Sequence, residues 1–263
     1  MKKTISISCW FGEQFHRPAN IKTLPNLIAW IKYQLKNFIP IQFYPRFKID
    51  SVIPRAPKTD KHAIFFTNNP KLRREIILKG WEYYFLENKI DKEESIASSL
   101  QAKVVKFLQL PDDVMKRLFE YEYVLYMDSR RVTDEVETLI THCSNGIVIR
   151  KTPKVKYLWD EVNEAKGQER YMAGMPATIE FIQEKLASAK FTANNSVVNT
   201  GLILYKVNEI ELRKKILALC DDVFSTCNSL KQPECQIIWC LLSQQYNNLI
   251  NKVDFETVTT RKS

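Results

Sequence analysis

Short apolar runs alternate with segments of helical periodicity along this chain of 263 residues. Runs rich in β-branched and aromatic residues predict strands, at 4–10, 62–67, 81–86, 121–127, 146–150 and within 196–206 from near Thr200. Between them, apolar residues recur every three or four positions, which predicts helices at 71–79, 94–108, 111–119, 134–141, 157–165, 176–189, 210–228 and 234–245. This alternation indicates an α/β fold with a mainly parallel central sheet flanked by helices. The tail after Asn247 has a weaker pattern that allows one more short strand.

The strand predicted at 121–127 ends abruptly in Asp128, Ser129, Arg130 and Arg131. Its continuous apolar run is typical of a strand buried on both faces of a parallel sheet. Ligands of open α/β sheets bind just beyond the carboxyl ends of the strands. Asp128 is therefore a candidate for holding a metal–phosphate group or a sugar, and an ordinary helix N-cap is the alternative.

The positive charge is concentrated near the amino end. The net charge is +9, and residues 1–62, with eleven lysines and arginines against three acidic residues, hold +8 of it. A nucleic-acid binder would carry basic residues throughout its binding fold, so no nucleic-acid partner is expected. Residues 20–60 form a basic aromatic insert with an amphipathic helix around Pro25, and segment 22–48 is predicted to bind anionic membrane surfaces. Co-sedimentation with anionic but not with neutral vesicles would confirm this.

Cysteine and histidine usage argues against disulfides and a zinc site. The six cysteines form no C-x-x-C pair, and the three histidines form no H-x-x-x-H pattern, so reduced, buried thiols are expected. The amino end meets polar residues too early for a signal peptide, and no apolar run reaches the ~20 residues of a membrane span. We expect a cytoplasmic protein of one domain, 1–263, with peripheral attachment to the inner face of a membrane as an open alternative.

Nine short pieces carry a family resemblance through their order over residues 62–245. They are 66–70, Gly80-Trp81, Ala102-Lys103, 123–129, Ile149-Arg150 with Glu161, 168–171, 174–176, Asn199-Thr200-Gly201 and Glu234-Cys235-Gln236. This order resembles glycosyltransferases of the GT-A fold, in particular the compact hexosyltransferase-like group of plants, bacteria and giant viruses. The resemblance implies a Rossmann-like sheet, a UDP- or GDP-linked sugar donor and a glycan or lipid-linked glycan acceptor, such as a surface polysaccharide or lipopolysaccharide.

The resemblance also implies roles for individual residues. Donor binding falls to Cys9, Trp10, Thr67, Asn68, Lys103, Asp128, Ser129, Arg130, Asn199, Thr200 and Gly201, and the acceptor side to Gln168, Arg170 and Tyr171. Asp128 and Glu234 are the catalytic candidates, with Glu234 as the base if the reaction inverts the sugar configuration. Such enzymes usually carry Asp-x-Asp, and here the triad is Asp128-Ser129-Arg130. Asp128 is the candidate ligand for Mn²⁺ or Mg²⁺, while Arg130 or Arg131 could neutralise the diphosphate instead.

Two other functions stay open at this point. A nucleotidyltransferase shares the fold and the need for a metal, although the first strand is not followed by a Gly-rich phosphate loop. A degenerate sugar-nucleotide or membrane-binding module would explain the missing second aspartate. Arg150, at a strand end, and Glu161, on the next helix, are expected to form a structural ion pair.

Overall fold

The structure is a computed structural model that describes residues 2–12, 52–58, 62–87 and 95–260, together with Ile28 and Ile31. Most of the basic insert, including all of segment 22–48 except Ile28 and Ile31, lies outside the described residues. Its predicted membrane binding stays a prediction.

Seven strands form one sheet in the described part of the chain. They are β1 (Lys2–Cys9), β2 (Ala63–Thr67), β3 (Glu82–Phe85), β4 (Tyr121–Met127), β5 (Ile147–Lys151), β6 (Val198–Lys206) and β7 (Ile250–Val253). The spatial order is β3-β2-β1-β4-β6-β5-β7. β4 lies at the centre, between β1 and β6, and Val124, Leu125, Tyr126 and Met127 are at most 1% exposed. This explains the continuous apolar run, because both faces of β4 are covered.

Six of the seven described strands run in one direction. Neighbours pair in parallel across β3-β2-β1-β4 and between β5 and β7. β6 is antiparallel to both of its neighbours, β4 and β5. The amino end of β6 therefore lies at the same edge of the sheet as the carboxyl ends of the other strands.

Helices cover both faces of the sheet. The described helices are α1 (Arg73–Leu78), α2 (Ser95–Lys106), α3 (Asp112–Leu118), α4 (Val136–Thr141), α5 (Leu158–Lys166), α6 (Glu169–Met172), α7 (Met175–Leu186), α8 (Ile210–Ser229) and α9 (Cys235–Leu242). Apolar residues of α2, α5, α8 and α9 form a large core with one face. Residues of α1 and α4 form a second core with the other face. The predicted α/β class, with a mainly parallel sheet flanked by helices, is confirmed.

The structure corrects the prediction in several local details. β6 begins at Val198 rather than near Thr200, and the short helix α6 was not predicted. The helix predicted at 94–108 ends at Lys106, and Leu108 has a positive φ of 54°, which an α-helix does not allow. The allowed tail strand exists as β7. Within the described residues, no helix combines the length and apolar character that crossing a membrane requires.

Candidate functional site

The order of the strands reverses between β1 and β4. The chain passes from β1 outward to β2 and β3 and then returns to the other side of β1 as β4. In open α/β sheets, this switch point leaves a crevice outside the carboxyl ends of the strands, where ligands bind. Cys9 ends β1, and Asp128 follows β4. The fold alone therefore places both residues at the expected ligand crevice.

Asp128 is fixed on the sheet edge by three polar contacts. Its backbone N–H donates to Gly201 O at 2.8 Å, which continues the β4–β6 pairing. The Tyr126 hydroxyl donates to Asp128 Oδ1 at 2.6 Å, and Lys106 Nζ lies 3.4 Å from the same oxygen. The side chain of Asp128 is still 41% exposed. The carboxylate is thus held in place and remains open to a ligand.

Lys106, at the end of α2, is the buried counter-charge of Asp128. Its side chain is 5% exposed, and Nζ also lies 3.4 Å from Thr200 Oγ1 and 3.8 Å from Cys235 Sγ. Burial alone would lower the pKa of Lys106, but the charge of Asp128 raises it above its usual value. Lys106 is therefore a cation that joins α2, β4, β6 and α9 at one point.

Asp128 is ionised at neutral pH for the same reason. Partial burial works to raise the pKa of this carboxyl, whereas Lys106 and the hydrogen bond from Tyr126 lower it. The lowering effects prevail, so the pKa of Asp128 lies below its usual value. Burial and the negative charge of Asp128 raise the pKa of the Cys9 thiol to about 12. The Cys9 thiol is therefore neutral at pH 7. It borders the crevice and is not a thiolate nucleophile.

Two side-chain oxygens pack closely against Gly201. A Cβ on Gly201 would lie 2.7 Å from Asp128 Oδ2 and 2.9 Å from Asn199 Oδ1. Carboxylate and carboxamide oxygens are ligands that hard divalent cations accept, and a bound diphosphate supplies others. The residues therefore fit Mn²⁺ or Mg²⁺ bound together with a diphosphate. The described residues contain no group of three or more His, Cys, Asp or Glu that could hold a metal ion alone.

A second group of carboxylates lies at the start of α9. Glu234 is the N-cap of this helix, and its Oε1 accepts from the backbone N–H of Gln236 at 3.2 Å. Burial and the hydrogen bond to Glu234 raise the pKa of Tyr171. Gln236 Nε2 donates to Glu161 Oε1 at 3.0 Å. Burial and the charge of Glu234 raise the pKa of Glu161. The predicted base and an acceptor-side tyrosine are thus in contact, with a second acid beside them.

The structure brings together part of the predicted donor set. Asn199, Thr200 and Gly201 lie next to Asp128 through the β4–β6 pairing and the contacts of Lys106. Lys103 is buried one turn before Lys106, and its charge also lowers the pKa of Asp128. Ser129 is buried directly after Asp128.

The predicted residues on β2 make contacts within the protein. Thr67 Oγ1 accepts from Asn69 N–H at 3.1 Å. Asn68 Oδ1 accepts from Gly12 N–H at 2.9 Å, and Asn69 Nδ2 donates to Gly12 O at 3.1 Å. These bonds fix the turn after β1, where Gly12 has a φ of +108°. Trp10 is half-buried in that turn. The donor roles of these residues stay predictions.

The remaining candidates lie further out. Arg130 is exposed. Arg170 is exposed as well, donates to Gln168 Oε1 at 3.1 Å and stacks on the Tyr171 ring with 4.4 Å between the guanidinium carbon and the ring centroid. This places Gln168 and Arg170 on the outer side of the Tyr171–Glu234 pair. Their acceptor role is not tested by any contact and stays a prediction.

The expected ion pair between Arg150 and Glu161 is wrong. Arg150 donates to Val258 O at 3.0 Å, and Glu161 accepts from Lys156 Nζ at 3.4 Å as well as from Gln236. The two side chains follow different neighbours because Arg150 belongs to β5 beside β7, whereas Glu161 lies on α5, which packs on α9.

No protein-family model matches the chain, and neither does any curated protein. Solved structures of several proteins are similar to this chain in overall fold. One is mouse xyloside xylosyltransferase 1, with a TM-score of 0.44, 8% identity and coverage of 97% of this chain and 86% of that one. Another is the bifunctional glycosyltransferase WbbM, with a TM-score of 0.43, 9% identity and coverage of 96% and 39%. A third is CMP:2-keto-3-deoxy-manno-octonic acid synthetase complexed with CTP, with a TM-score of 0.39, 10% identity and coverage of 96% and 90%.

Sequence reasoning missed Lys106, the residue in direct contact with Asp128. Both Lys103 and Lys106 belong to the predicted helix, and one turn separates them. The position of Lys106 in the helix is the signal that could have identified it. Lys106 is the last residue of α2, and its side chain contacts Asp128 there. An inward-facing lysine among apolar neighbours needs an acidic partner, and that need could have identified it.

Proposed function

We propose that the protein is a glycosyltransferase that moves a sugar from a nucleotide-sugar donor to a glycan or lipid-linked glycan acceptor. One observation carries this proposal. An ionised, accessible carboxylate, Asp128, stands at the switch point of the sheet and is paired with the buried cation Lys106. Positive charge next to an ordered carboxylate at this edge suits the binding of a nucleotide diphosphate.

The residues around Asp128 would stabilise the leaving diphosphate. A divalent cation held by Asp128 and Asn199 would offset the negative charge that develops when the sugar–phosphate bond breaks. Lys106 keeps Asp128 ionised and fixes its orientation together with Tyr126. Gly201 holds the β6 backbone next to Asp128, and a side chain at position 201 would displace the Asp128 and Asn199 oxygens that would hold the cation.

Glu234 is the proposed base on the acceptor side. A transfer that inverts the sugar configuration requires a carboxylate base within ~2.6–3.2 Å of the acceptor hydroxyl oxygen. The backbone N–H of Gln236 and the Tyr171 hydroxyl fix the orientation of Glu234. Its charge is also felt by Lys106, so the acceptor and donor halves of the site adjoin each other.

Glu234→Gln is expected to abolish transfer to the acceptor and to leave donor binding and slow donor hydrolysis unchanged. The substitution keeps a side-chain oxygen that can accept from the Gln236 N–H, but it removes the negative charge that makes Glu234 a base. The measurements are product formation with acceptor, hydrolysis without acceptor, and donor affinity by calorimetry. Loss of general-base help typically costs ~10²–10⁴ in rate.

Glu209→Gln is the matched control for this experiment. Glu209 is also the N-cap of a helix, α8, and lies in an exposed ion pair with Lys206. The control variant should transfer at the wild-type rate. If Glu234→Gln also transfers at that rate, Glu234 serves only as a helix cap.

Calorimetry with UDP- and GDP-sugars in the presence of Mn²⁺ tests the function itself. A transferase should bind one of these donors and hydrolyse it slowly when no acceptor is present. A nucleotidyltransferase would instead bind a nucleoside triphosphate and release pyrophosphate. Residues 1–62 contain one glycine, Gly12, so the Gly-rich phosphate loop of that class is missing after β1. Failure of every nucleotide to bind would favour a module without catalytic activity and overturn the proposal.

A further inference from the structure

Arg150 is a buried cation whose charge is not balanced by the described residues. The residue is 1% exposed, and Nη1 donates to Val258 O at 3.0 Å. Nε and Nη2 are buried and have no hydrogen-bond partner among the described residues. A buried donor without a partner destabilises a fold, and more strongly when it is charged. Such an arrangement is retained when a ligand supplies the missing acceptors.

A second guanidinium is close to Arg150. Arg131 lies in the turn after β4, where its N–H donates to Asp128 O at 2.8 Å. Burial lowers the pKa of Arg150 to about 10, and the positive charge of Arg131 contributes to this shift. Among the described residues, no acidic group shifts this pKa. Two like charges held together in this way are complementary to an anion.

Arg150 and Arg131 lie near the edge of the sheet where ligands are expected to bind. Arg150 is the second-last residue of β5 and pairs across the sheet with Asn199 of β6. The Cδ of Arg131 would lie 3.4 Å from a Cβ on Gly201. Arg150 and Arg131 therefore lie on the β5 side of the Asp128 crevice, opposite Lys106.

The carboxyl-terminal turn covers Arg150. Residues Phe255–Thr257 form a 3-10 turn, and the Phe255 ring centroid lies 4.3 Å from the guanidinium carbon. Val258, whose carbonyl accepts from Arg150, is 1% exposed. One stacking contact and one hydrogen bond thus join this turn to the cation.

We propose that Arg150 and Arg131 form a binding site for a phosphate group, and that residues 255–258 cover this site until the anion displaces them. A guanidinium offers N–H donors in a planar fork that matches two oxygens of a phosphate. Nε and Nη2 of Arg150, which have no partner within the described part of the chain, form such a fork. The site does not depend on the proposed transferase activity, because it requires only phosphate chemistry. The phosphate belongs either to the nucleotide diphosphate or to a phosphorylated acceptor.

The test is the titration of the full chain with inorganic pyrophosphate. Binding is measured by calorimetry and by the change in the melting temperature, Tm. The wild-type protein should gain stability as the ligand concentration rises. Arg150→Met should bind pyrophosphate about tenfold more weakly or worse, since charged hydrogen bonds are lost. Without pyrophosphate, this variant should be at least as stable as the wild type, because it replaces an unpaired buried charge by an apolar side chain. Arg150→Lys keeps the charge but loses the fork and should fall in between.

Arg213→Met is a closely matched control. Arg213 also donates to a backbone carbonyl, Val207 O at 3.1 Å, and also stacks on a phenylalanine, Phe119, at 4.2 Å. It lies on α8 and is only half-buried. This variant should bind pyrophosphate as the wild type does. If Arg150→Met and Arg213→Met bind it equally well, or if pyrophosphate does not bind to the wild type at millimolar concentration, the site does not exist.

Two further measurements test the cover and the source of the phosphate. Hydrogen exchange at residues 255–260 should become faster when pyrophosphate binds, and unchanged or slower exchange would overturn the covering role. Displacement of pyrophosphate by UDP or GDP would assign the site to the donor diphosphate. Simultaneous binding of pyrophosphate and a nucleoside diphosphate would assign it to a phosphorylated acceptor.

Discussion

Asp128→Asn is expected to lower the rate of sugar transfer by ~10²–10³, the usual effect of removing one electrostatic contact to the developing charge. The substitution keeps the shape of the side chain but removes its negative charge. The protein should still fold, with a lower Tm, because Lys106 is 5% exposed and loses its counter-charge. The rate should be measured well below the Tm of the variant, with saturating metal.

Asp222→Asn is the control for this prediction. Asp222 also accepts a hydrogen bond from a tyrosine, Tyr246, at 2.8 Å, and it lies on the exposed surface of α8. Its substitution should leave the transfer rate unchanged. Wild-type activity in Asp128→Asn would remove Asp128 from the mechanism and leave it as a structural partner of Lys106.

Lys106→Met is expected to lower the transfer rate by a similar factor and to change the pH dependence of activity. Lys106 lowers the pKa of Asp128, so its removal raises this pKa. Protonation of Asp128 would then inactivate the enzyme at a higher pH, and the acid limb of the rate profile should shift upward. We expect a loss of stability below the about 3–5 kcal/mol that breaking a fully buried pair costs, because Asp128 stays in contact with water.

The same pair should make the stability of the wild type depend on pH. A carboxyl whose pKa is lower in the folded than in the unfolded state stabilises the fold above its unfolded pKa. That stabilisation is lost as the pH falls through the folded value. Tm measured between neutral pH and about pH 3 should therefore fall less steeply for Lys106→Met than for the wild type. The double variant Asp128→Asn/Lys106→Met gives the coupling between the two residues, and additive effects would contradict a direct interaction.

Comparing Lys103→Met with Lys106→Met tests which of the two lysines serves the site. The sequence predicted Lys103 as a donor-binding residue, whereas Lys106 is the lysine in contact with Asp128. Loss of activity should be larger for Lys106→Met. The reverse order would show that Lys103 contacts the donor and that Lys106 is only a buried structural cation.

Features of the fold that depend on neighbouring residues along the chain could be predicted from the sequence, whereas features that depend on distant pairing could not. The strand ending at Asp128 could be predicted because burial on both faces leaves a continuous apolar run. The reversed direction of β6 could not, because strand direction depends on pairing with β4 and β5, which precede β6 by about fifty residues or more. The choice between Lys103 and Lys106 depended on where α2 ends. The prediction of an Arg150–Glu161 ion pair was wrong because closeness along the chain does not determine which side chains are neighbours in the fold.

The reversed direction of β6 has a consequence for altering acceptor choice by loop exchange. For the parallel strands, the loop that follows each strand enters the ligand edge. For β6, the preceding segment, 187–197, does so, and the short connection after it, 207–209, lies at the opposite edge. Grafts designed to change the proposed acceptor specificity therefore belong before β6. Fusion tags or inserted reporters belong at the exposed residue Glu209, where the chain turns away from the chemistry.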